Sequence, residues 1–141
     1  MPASEQAGTV RAALRRFWPP GAPGYVLAAL LVVGVGLRLL AIASWWPTAS
    51  TLDDGYQLYA GSNPFEDPQQ PAGYSLIIAA LGAVTREIAA MVLLQHLLGL
   101  VSALLLFAAV RRLTGSQGPG LLPAAVLLLN PDQIFLEHAL M

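Results

Sequence analysis

Tyr25–Ser44 reads YVLAALLVVGVGLRLLAIAS, and this run decides the fold. Apart from Arg38 and the closing serine it is apolar or small. At roughly 1.5 Å per residue, its length matches a hydrocarbon layer of about 30 Å. Trp45-Trp46-Pro47 follows directly. The two indoles suit the headgroup interface, and Pro47 stops the helix because it has no N–H to donate. The other reading of the run is a signal peptide cut after Ala41-Ile42-Ala43. A leader would have a shorter apolar core, about 7–15 residues, and Trp-Trp-Pro is a poor mature start. The run is therefore read as a membrane span.

Working outward, residues 1–24 are polar and then rich in Pro and Gly, with Arg11, Arg15 and Arg16 ahead of Trp18-Pro19-Pro20. Downstream, residues 47–72 carry Pro47, Pro64, Pro68, Pro71, Gly55 and Gly61, four acids and no arginine. That is turn chemistry. Residues 74–84 are apolar but about half the length needed to cross. Residues 88–110 form a second full span, closed by Arg111-Arg112, and a third apolar stretch runs over 121–137. It passes through Asn130-Pro131-Asp132 and ends among Glu137 and His138.

The composition supports lipid as the solvent. Of 141 residues 56% are hydrophobic and 11% charged, with mean hydropathy +0.63. Soluble domains carry about 25% charged residues. A net charge of -1 argues against a nucleic-acid partner, and with no cysteine the chain has no disulfide or thiol chemistry. There is no Gly-rich phosphate loop, no His/Cys metal spacing and no GxSxG elbow. The expected fold is an all-α integral membrane bundle with an acidic external loop and a juxtamembrane helix. All seven basic residues are arginine, and their placement orients the bundle. If 25–44 and 88–110 cross and 74–84 does not, Arg11, Arg15, Arg16, Arg111 and Arg112 share one side. The positive-inside rule makes that side cytoplasmic, with 1–24, and puts the loop 45–87 outside. Residues 74–84 then lie in or dip into the interface.

Several residues are suited to chemistry. Asp53-Asp54-Gly55-Tyr56 sits just past the first span, at headgroup depth. Two adjacent carboxylates in a partly dry site resist double ionisation, which tunes a general base or holds a divalent cation. The same tetrapeptide also reads as a solvated turn. Arg38 lies in the outer half of its span, where a lone charge costs about 2.5–3.5 kcal/mol on insertion scales. It either snorkels to the interface or pairs with Asp53, Asp54 or an anionic headgroup, whose oxygens fit the planar guanidinium. Glu66 and Asp67 form a second acidic pair among prolines, lining a sugar site or facing water. Gln95 and His96 fall inside a span, where polar pairs usually bond neighbouring helices. Glu137 and His138 are expected to approach the outer surface, level with the acidic loop. Gly34 and Gly36 permit close helix packing.

The order of these pieces resembles a known family. It runs from the span ending Leu37-Arg38-Leu39 through Asp53-Asp54-Gly55-Tyr56 to Gln70-Pro71-Ala72-Gly73-Tyr74-Ser75-Leu76. Then come Leu93-Leu94-Gln95-His96-Leu97-Leu98-Gly99-Leu100, Ala109-Val110-Arg111-Arg112-Leu113-Thr114-Gly115 and Leu129-Asn130-Pro131-Asp132-Gln133. Over residues 25–141 this is similar to the N-terminal part of type C membrane glycosyltransferases, near the protein mannosyltransferase and aminoarabinose transferase group. The resemblance implies that an aspartate of the first external loop, here Asp53, is the catalytic base or binds a metal near the lipid phosphate. Asp54 stands where a second acid is common. Pro71-Ala72-Gly73-Tyr74 matches a Pro-Gly-Tyr-type stretch, and Gln69-Gln70 stand where many relatives place a histidine before proline.

The implied activity is inverting sugar transfer from a polyprenyl-phosphate donor to a hydroxyl of an acceptor glycan, lipid or protein, outside the cell membrane. Asp53 deprotonates the acceptor, and Arg38 stabilises the departing phosphate from a low-dielectric site. Tyr56, Glu66, Asp67, Tyr74 and Glu137 contact substrate. The resemblance fixes no cofactor; the one candidate is a divalent cation at Asp53 and Asp54. Members of the family are longer, so 1–141 is expected to be an N-terminal fragment, inactive alone. Two alternatives stay open: a non-catalytic small subunit of a membrane complex, and a transporter or flippase fragment whose acids line a pathway.

Overall fold

The computed structural model describes residues 21–48, 59, 65, 72–85 and 87–139. The N-terminal arginines and the acids of the 49–58 and 66–71 stretches lie outside them. The protein is an all-α membrane protein, with no strand among the described residues.

Helix α1 spans Ala22–Ser44, with Pro23 in its first turn, where a missing N–H costs nothing. Helix α2 is Ala72–Gly82, 11 residues or about 16 Å, too short to cross a bilayer. It matches the expected short helix, displaced two residues toward Pro71. Helix α3 runs Ile88–Thr114, four residues beyond the apolar stretch expected to end at 110. Arg111 and Arg112 end the hydrophobic run without ending the helix, because arginine is a good helix former and suits the negative C-terminal end. Gly115 then stops it in the left-handed conformation, φ 66°, which costs glycine least. Helix α4 covers Gly118–Leu129 and α5 covers Pro131–His138.

The last two helices correct an expectation. The stretch 121–137 is not one straight helix: α4 and α5 meet at an angle of 51°. Pro131 has no N–H, and the Asn130 side chain instead accepts from Asp132 N–H at 2.9 Å, capping α5 afresh. Among the described residues two helices, α1 and α3, are long and apolar enough to cross a membrane, or three spans if the bent pair is counted as one.

Leu27 packs with Phe107, while Arg38 and His96 both reach Glu137. Those pairings make α1 and α3 antiparallel and set the start of α1 beside the Arg111-Arg112 end of α3. Helix α4 lies against both and makes the bundle's most extensive packing with α3. Leu27, Phe107 and Ala124 are fully buried, surrounded by Leu31, Leu104 and Leu121. Gly120 permits this packing, since a Cβ there would lie 2.8 Å from the Phe107 carbonyl oxygen. Of the two glycines expected at an interface, Gly34 meets Leu128 while Gly36 faces open space. The outward faces, with Val32, Leu39, Leu40, Leu97 and Leu105, are exposed and apolar, as lipid contact requires.

Candidate functional site

A buried polar cluster sits at the opposite end of the bundle from Leu27 and Phe107. Arg38 enters from α1, about two helical turns before Ser44. His96 enters from α3, a little over two turns after Ile88. Glu137 and His138 come from the end of α5. The 51° bend places α5 there, because it swings the helix across the gap between α1 and α3.

Arg38 and Glu137 form a forked ion pair. Arg38 Nε donates to Glu137 Oε2 at 2.7 Å and Nη2 donates to Oε1 at 2.8 Å. Nη1 donates to the carbonyls of Gly34 and Leu128, and Nη2 also to that of Leu127. A guanidinium has five N–H groups, and all five are directed at protein oxygens. Glu137 is equally committed, as Oε1 also accepts from Gln133 Nε2 at 3.1 Å and Oε2 faces His96 Nδ1 at 3.1 Å. The Leu127 and Leu128 carbonyls belong to the last turn of α4, which carries the negative end of a helix dipole. Gly99 leaves the space, since a Cβ on it would overlap the Glu137 carboxylate.

The network continues outward. His96 Nε2 lies 3.1 Å from His138 Nδ1, with the ring centroids 5.4 Å apart and the planes 30° from parallel. His138 Nε2 donates to the Trp45 carbonyl at 2.9 Å. Thr48 Oγ1 donates to the His138 carbonyl at 2.7 Å. The first residues of the loop after α1 are thus fastened to the cluster from two directions. Trp45 adds an edge-on contact with Phe135.

Beside the cluster is a cavity of about 320 Å³, lined in part by Tyr74, Gln95, Ser102 and Gln133. Gln95 Nε2 donates to the Tyr74 hydroxyl and to the Ala139 carbonyl, both at 3.2 Å. Its Oε1 is buried without a hydrogen bond.

Two residues singled out in the sequence come together here. Arg38 is bonded to Glu137 and to the carbonyls of Gly34, Leu127 and Leu128. Its partner is Glu137, and at 2% exposure it has no N–H left for a substrate. Glu137 is buried in the cluster and also lines the neighbouring cavity. It is 6% exposed, because an unpaired carboxylate at this depth costs more than one held by a guanidinium. Tyr74 lies on α2, half-buried at the cavity. Asp53, Asp54, Tyr56, Glu66 and Asp67 lie outside the described residues. Gln95 and His96 do bond neighbouring helices.

The sequence does not reveal the full cluster, although it carries a signal. Arg38, Gln95-His96 and Glu137-His138 are polar positions in three largely apolar segments, and antiparallel spans bring Arg38 and His96 to the same depth. No family model, no curated protein and no solved structure matches this chain.

Proposed function

We propose that this chain is part of an inverting membrane glycosyltransferase. It transfers sugar from a polyprenyl-phosphate donor to an acceptor hydroxyl on a glycan, lipid or protein. In this reading it is a multi-pass protein of the cell membrane, with 1–24 cytoplasmic and 45–87 outside. The observation that carries the reading is the double tether from His138 to Trp45 and Thr48. It fixes the start of the acid-bearing loop where the bundle ends, and Asp53 follows five residues after Thr48. A catalytic base needs such fixing, because misplacement by about 1 Å can cost 100-fold in rate. Asp53 takes the acceptor proton, and Asp54 shares the site or helps hold a divalent cation. Arg38 acts as a positioning residue by binding α5 to α1, not as the phosphate's counter-charge.

Asp53→Asn preserves size and removes the basic carboxylate. In the full-length enzyme, turnover with a polyprenyl-phosphate-linked sugar is expected to fall by about two or more orders of magnitude while donor still binds. Near-normal turnover in this variant and in Asp53→Asn/Asp54→Asn would sink the reading. It would favour the non-catalytic subunit instead, which the complete internal pairing of Arg38 and Glu137 also suits. Sidedness is tested separately. Cysteines placed at Ser62 and Gln117, in a chain with none of its own, should react with an impermeant thiol reagent from opposite faces. Reaction from one face refutes the topology.

A further inference from the structure

The hydrogen bonds from Glu137 to Trp45 fix a proton count. The chain of contacts runs Glu137 Oε2, His96 Nδ1, His96 Nε2, His138 Nδ1, His138 Nε2, Trp45 carbonyl. It contains three hydrogen bonds, and each needs one proton. The Trp45 carbonyl only accepts, so His138 Nε2 must carry a proton. The pair His96 Nε2 and His138 Nδ1 must share one between them. The contact of His96 Nδ1 with the carboxylate needs the third. A carboxylate and two neutral imidazoles bring two, one N–H per ring.

We infer that Glu137, His96 and His138 together hold one proton more than a carboxylate and two neutral imidazoles, so that with Arg38 the cluster is cationic by one charge. The count does not depend on where the third proton rests. If Glu137 is protonated it donates to His96 Nδ1, and the total is still three. The surroundings favour the charge. The carbonyls of Leu127 and Leu128 end α4, that of Trp45 follows the end of α1, and His138 closes α5. The C-terminal ends of α1 and α5, each the negative end of a dipole, therefore meet at His138, while the end of α4 faces Arg38. Helix α1 contributes Arg38 as the other charge facing the pair, and α5 contributes Glu137. Helix α4 contributes no titratable residue, α2 contributes only the Tyr74 phenol, and on α3 the arginines are at the far end. Asp132 is exposed at the start of α5.

This site is a proton-binding device, independent of the proposed sugar transfer. Losing the third proton leaves two ring nitrogens, or a ring nitrogen and an oxygen, facing each other as acceptors. One link between α3, α5 and the loop at Trp45 must then open. Removing that proton, as rising pH does, therefore weakens the joint between α3, α5 and Trp45.

The chain has two histidines, so ¹⁵N spectra of the membrane-embedded protein report this pair alone. Three protonated ring nitrogens are expected, with direct N–H···N coupling between the rings. Two protonated ring nitrogens with a carboxylic-acid ¹³C signal at Glu137 give the same count and also support the inference. Two protonated ring nitrogens with an ionised Glu137 overturn it. His138→Gln supplies a second readout, because an amide NH₂ donates to both His96 and the Trp45 carbonyl without titrating. The wild-type fall in stability with rising pH should flatten in this variant. An equal pH dependence in both proteins overturns the inference.

Discussion

The two ends of the bundle are held by different physics. At one end Leu27, Phe107 and Ala124 interdigitate without a polar atom among their side chains, and Gly120 brings two helix backbones together. In lipid, burying these groups gains little hydrophobic free energy, since acyl chains are as apolar as leucine. Shape and dispersion do the holding. At the other end Arg38, His96, Glu137 and His138 are bonded to one another. There the alternative to pairing is a charge in a low-dielectric medium, so the loss of one partner is punished far more than the pair is rewarded. The apolar end should therefore yield by degrees, and the polar end should fail when half of it is removed.

The largest expected effect is at Arg38. Arg38→Leu takes the guanidinium from the buried Glu137, leaving it only His96 and Gln133, and should cost about 3–5 kcal/mol of stability, read from unfolding of the detergent-solubilised protein. Arg38→Leu/Glu137→Leu removes both charges and should be more stable than Arg38→Leu alone. A double variant less stable than the single one would erase the contrast between the two ends.

Gly120→Ala probes the apolar end. Its new methyl meets backbone at 2.8 Å and the Phe107 ring at 3.0 Å, so α4 must shift, at about 1–3 kcal/mol. The histidine signals of the polar end should not move. If they do, the ends are mechanically one unit.

The smallest effects separate two glycines that look alike in sequence. Gly34→Ala places a Cβ 3.1–3.2 Å from Leu128 and should cost about 1 kcal/mol. Gly36→Ala meets nothing within 4 Å and should change stability by less than about 0.5 kcal/mol. Equal effects in thermal unfolding would mean that α4 does not pack on α1 as described.

Much of the fold is legible in the amino-acid order. The lengths of 25–44 and 88–110 expose the two long helices, since a bilayer's thickness is fixed and helical rise is constant. The shortness of 74–84 and the chemistry of Pro71 give the 11-residue helix by the same arithmetic. Arg38, His96 and Glu137 announce themselves as polar residues in apolar surroundings, because lipid makes such residues costly. Their pairing is not legible. Arg38 and Glu137 are 99 positions apart, and nothing local says that this guanidinium will meet that carboxylate. Asn130-Pro131 marks a break in hydrogen bonding, but the 51° direction it takes depends on packing against α1 and α3. Apolar length and composition dictate which segments must leave water. Which charges neutralise one another is settled by antiparallel packing and the bend of α5, which set their depths and distances, because Coulomb and hydrogen-bond energies fall off within a few ångströms.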